Sequence, residues 1–154
     1  MSVIKFILRL FGWLVTIFFQ VAASFLIIFL FSVIFAGVDT YSHMGWLFLL
    51  FMIWLGYVVG INLVGQAALR WVWKRSKLLV RQRLIGTAIG ALIPLLILLL
   101  IGFSVPMGDE GMQFYDLVTN NWQPVLAQAS LFAGIIGFYV PGLLKTNKEP
   151  VMGE

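Results

Sequence analysis

The side chains that usually carry catalysis are scarce in this 154-residue chain and stand far apart. His43 is the only histidine, and cysteine is absent. Thiolate nucleophiles, thiolate-ligated metal clusters, disulfides and cysteine lipidation are excluded with it, as is a haem held between two histidines of one chain. Asp109 and Glu110 are adjacent, but no third ligand follows at a metal-site spacing. His43, beside Met44, reads as an interfacial group rather than a metal or pigment ligand. No base stands near a nucleophile within any apolar stretch, as embedded hydrolysis or acyl transfer would require. The residues therefore predict no catalytic site, no metal and no cofactor. No phosphate-cradling loop or nucleic-acid module is present either, so no nucleic-acid partner is expected.

Polar residues of three other kinds remain. Arg70, Lys74, Lys77 and Arg81 recur at i, i+4, i+7 and i+11 within a basic stretch, residues 70–83. On a helix they would share one face and attract anionic lipid or an acidic partner beside a membrane. Four amides, Gln20, Asn62, Gln66 and Gln128, fall inside apolar runs, where such groups seek partners on neighbouring helices. Gln20 shares a helical face with Ser24, and Asn62 with Gln66. Gly56 with Gly60, and Gly86 with Gly90, form Gly-x-x-x-Gly pairs, while Gly134 and Gly137 give a further small patch. Small residues at this spacing allow helices to approach closely.

The elements that hold these groups are dictated by composition. Hydrophobic residues make up 62% of the chain and charged residues only 10%, against about 25% charged in soluble domains. So few charges cannot clothe a water-facing surface, and the expected class is an all-α integral membrane protein. Four runs reach the length of about 20 apolar residues that a bilayer requires: 10–38, 45–69, 84–107 and 124–144. None contains Asp, Glu, Lys, Arg or His. Helices are expected because a lipid-embedded backbone must satisfy its own hydrogen bonds. The first run exceeds the apolar core of a cleaved signal peptide and reads as an uncleaved anchor.

Charge sets the expected orientation. All ten Lys and Arg residues lie before the first run, between the second and third, or after the fourth. With Glu149 and Glu154 they leave +8 on one side. Asp39, Asp109, Glu110 and Asp116 leave −4 on the other, the outer loop 108–123 carrying most of it. The positive-inside rule then predicts both termini in the cytoplasm. The chain is expected to be a single domain of two antiparallel helical hairpins in a bacterial inner membrane.

Three functions fit these residues. The first is a non-catalytic subunit or assembly protein that packs against other membrane subunits or itself. The second is a small transporter or flippase for a neutral or lipid-like substrate, its route lined by the four amides. The third is an anchor that recruits an acidic cytosolic partner through the basic stretch.

Overall fold

Each apolar run folds into a helix, as a backbone without water partners requires. The computed structural model describes residues 3–37, 43–74, 79–104 and 122–146. Among them are four α-helices: α1 Val3–Ile34, α2 His43–Trp71, α3 Val80–Ser104 and α4 Trp122–Thr146. All four are long and apolar enough to cross a membrane. The chain is thus an all-helical protein with the composition of a multi-pass membrane protein.

Helix bounds differ from the apolar runs at the basic ends. Lys5 and Arg9 lie inside α1, and Arg81 and Arg83 inside α3. Hydropathy stops at a charge, but the i→i−4 hydrogen-bond ladder does not, because a long side chain carries its charge away from the backbone. The third helix is therefore not free of ionisable residues, as the 84–107 boundary implied. With 32 residues, α1 is the longest helix.

Two close contacts organise the bundle, and glycine makes both. Between α3 and α4 the backbones themselves touch. A Cβ on Gly86 would fall on the Gly137 carbonyl oxygen, and one on Gly90 on that of Ala133. Between α1 and α2, Gly56 faces Ile28 and Gly60 faces the Ser24 backbone, where a Cβ would stand 2.6 Å away. The Gly-x-x-x-Gly pairs of α2 and α3 thus lie within interfaces of their own chain.

Side chains join the two halves. Tyr57 and Ile61 of α2 pack with Ala91 of α3 and with Leu131, Ile135 and Phe138 of α4. A second cluster joins Leu50 to Leu95 and Leu98. Trp54 Nε1 donates to the Ala88 carbonyl at 2.9 Å, and Ser130 Oγ donates to the Ala91 carbonyl. Both tether neighbours to α3 within two turns before Pro94, whose ring removes one donor from that helix.

Helix α1 is held on one side only. Its buried residues are Thr16, Gln20 and Ser24, spaced by four, and only 11% of its apolar window is buried. The opposite pole carries Phe11, Phe18, Phe25 and Phe29, each more than half exposed.

Candidate functional site

The polar groups concentrate toward the end of the bundle where Trp13, Trp73 and Arg83 lie. Gln20 is fully buried and connects three helices. Its Nε2 donates to the Ile61 carbonyl of α2 at 3.0 Å, and its Oε1 accepts from the Tyr139 hydroxyl of α4 at 3.1 Å. Gly65 leaves the room: a Cβ there would meet the Phe138 ring and, at 2.6 Å, Gln20 Nε2. Trp13 stacks on Trp73 with centroids 5.0 Å apart and meets the edge of Tyr139 at 4.8 Å. Gly12 admits Trp73 against α1, its Cβ position lying 3.2 Å from the indole.

Arg83 is the residue that sequence reasoning misplaced. Counted as one charge of a basic loop, it sits in the first turn of α3 and is 4% exposed. Its guanidinium lies 4.9 Å from the Phe138 ring centroid, within cation–π range, and Nη1 donates to the Phe138 carbonyl at 3.0 Å. Gly142 gives it space, since a Cβ there would stand 2.6 Å from Nη2.

Pro141 lies close to this contact. Proline has no N–H, so the carbonyl of Gly137, four residues earlier, loses its helical donor. That carbonyl faces Gly86 of α3, and the next one, Phe138, receives Arg83. Two residues of α3, three apart, thus meet α4 within the turn before Pro141. A cation near the carboxyl end of α4 also suits the helix dipole. A signal existed: Arg83, Gly86, Thr87 and Gly90 fall on one helical face, so Arg83 shares the stripe that meets α4.

The four amides do not converge. Asn62 turns its Nδ2 back to the Val58 carbonyl at 2.9 Å, while its Oδ1 is buried without a hydrogen-bond partner. Both amide atoms of Gln66 and the Trp73 indole nitrogen share that condition. Gln128, in contrast, is exposed on α4. Buried hydroxyls of Thr16, Ser24 and Thr87 bond to carbonyls four residues back, a local solution that needs no second helix.

The proposed basic face is also divided. Arg70 ends α2, Lys74 follows it at φ 45°, and Arg81 belongs to α3. A single helical register does not run through these three, because the chain leaves the helix after Trp71 and resumes one at Val80. Lys77, Asp39, Asp109, Glu110 and loop 108–123 up to Asn121 lie outside the described residues, as does the His43 side chain. Among the described residues no cluster of three His, Cys, Asp or Glu side chains occurs.

The arrangement exchanges hydrogen bonds between helices, with one buried guanidinium at its centre. Tyr139→Phe tests one link: it strips the donor from Gln20 Oε1 and leaves the rings in place. Thermal unfolding in detergent should show a loss of about 0.6 kcal/mol, and no more than about 1.7. No family model, curated protein or solved structure matches the chain.

Proposed function

We propose that this protein is a non-catalytic multi-pass membrane subunit or assembly factor that packs on a larger membrane complex. The observation that carries the reading is the one-sided attachment of α1. Thr16, Gln20 and Ser24 face the bundle, while Phe11, Phe18, Phe25 and Phe29 line the opposite pole. Aromatic rings at heptad-like spacing suit the shallow crossing of a neighbouring helix. Gln20 is committed to ties within the chain and Gln128 points away, so the residues give less support to a lined transport route. The division of the basic stretch likewise gives less support to one recruiting face.

In this reading the helices form two antiparallel hairpins with both termini in the cytoplasm of a bacterial inner membrane. The pairing of Ile28 with Gly56, Ser24 with Gly60 and Gly12 with Trp73 supports the first hairpin, and the charge division supports the orientation. The cysteine-free chain is suited to a direct test. Thr40→Cys should react with an impermeant maleimide added to intact cells, and Lys148→Cys only after permeabilisation. The reverse pattern would invert the topology.

The decisive experiment is the native mass after mild nanodisc extraction. Stoichiometric recovery with larger subunits is expected, and the Phe18→Ala/Phe25→Ala variant should lose them without a change in thermal stability. A homogeneous monomer would overturn the proposal.

A further inference from the structure

We infer that the groove between α1 and α2 is a binding site for one anionic phospholipid, its acyl chain along the groove and its phosphate at Arg70 and Lys74. The groove has a volume of about 490 Å³ and is walled by Val15 and Phe19 on α1 and by Leu63, Ala67 and Trp71 on α2. Its floor presents carbon. Thr16, the polar residue of the wall, has turned its hydroxyl to the Gly12 carbonyl at 2.8 Å. Ala67 and Ala68 keep the slot open where larger side chains would close it.

One end of this apolar slot is cationic. Arg70 lies seven residues beyond Leu63, two turns along the same stripe of α2, and is exposed. Lys74, three residues beyond Trp71, is exposed as well and holds φ 45°, a left-handed conformation uncommon outside glycine. Trp71, 82% exposed at the mouth, has the amphipathic ring that settles at headgroup level. A slot lined almost wholly by carbon, with Arg70 and Lys74 exposed beside one end, matches an amphiphile with an anionic head.

This inference goes beyond the subunit reading and does not depend on it, because its test needs only the purified chain. Native mass spectrometry of the full-length protein would be run with phosphatidylglycerol and phosphatidylethanolamine of identical acyl chains. One phosphatidylglycerol should be retained in preference. Arg70→Gln should lower that preference roughly fivefold, as the loss of about 1 kcal/mol per cation predicts. Ala67→Phe should abolish retention of either lipid by filling the slot. Arg81→Gln, on α3, should leave the ratio unchanged. Equal retention of the two lipids, or an Arg81→Gln effect as large as that of Arg70→Gln, would overturn the site. Arg70 is exposed and its variant tests the idea even if Ala67→Phe fails to fold.

Discussion

Gly86→Val should separate α3 from α4 and leave a protein that no longer unfolds as one unit. The valine would need the space occupied by the Gly137 carbonyl oxygen, and that atom belongs to backbone that cannot rotate aside. Overpacking a core typically costs about 1–3 kcal/mol when side chains can yield; here the cost should reach at least the upper end. Gly137→Val meets the Gly86 carbonyl in the same way and should behave alike. Gly37 provides the control, since a Cβ there meets nothing within 4 Å; Gly37→Ala should leave the transition where it was. Thermal unfolding in detergent reads all three. A Gly86→Val transition within a degree of the parent would mean that the two helices do not meet at these glycines.

The second large effect concerns Arg83, and the informative variant is the conservative one. Arg83→Lys keeps a positive charge in the same turn of α3. An ammonium lacks the flat fork that lies over the Phe138 ring while donating to the Phe138 carbonyl. Arg83→Lys should therefore lose about 1.5–3 kcal/mol, the worth of a hydrogen bond to a charged group. Arg83→Ala should lose at least as much, because it also empties the slot beside Gly142. Full stability in the lysine variant would show that charge alone matters and that Phe138 is incidental.

Helix number and class were legible in the sequence because hydrocarbon imposes a single solution on a backbone without water. What escaped was the fate of individual polar residues. Gln20 and Gln128 look equivalent as amides in apolar runs. One is fully buried and bonded to two other helices, the other exposed. The difference lies in which face each helix turns inward, and the near-uniform apolarity of these helices hides that face. Asn62 and Gln66 do share the face that their spacing implied, yet Asn62 bonds only to a carbonyl of its own helix and Gln66 to no other group. Arg83 illustrates the opposite error. A charge at the edge of a hydropathy run reads as a loop residue, whereas its register with Gly86 and Gly90 makes it part of an interface. Likewise, the spacing of Arg70, Lys74 and Arg81 implied one face only on the premise of an unbroken helix, and the chain breaks between them.

The length of α1 has a mechanical consequence for the surrounding bilayer. Of its 32 residues, those beyond Lys5 and Arg9, 10–34, rise about 38 Å, which a tilt of about 40°, the upper limit for such helices, brings to about 29 Å along the bilayer normal. The hydrocarbon is about 30 Å thick, so α1 matches it only when strongly tilted. A helix of this length is accommodated either by tilting or by a local thickening of the bilayer around it. Thickening costs a fraction of a kcal/mol per ångström of mismatch, so thinner bilayers should drive α1 toward its tilt limit.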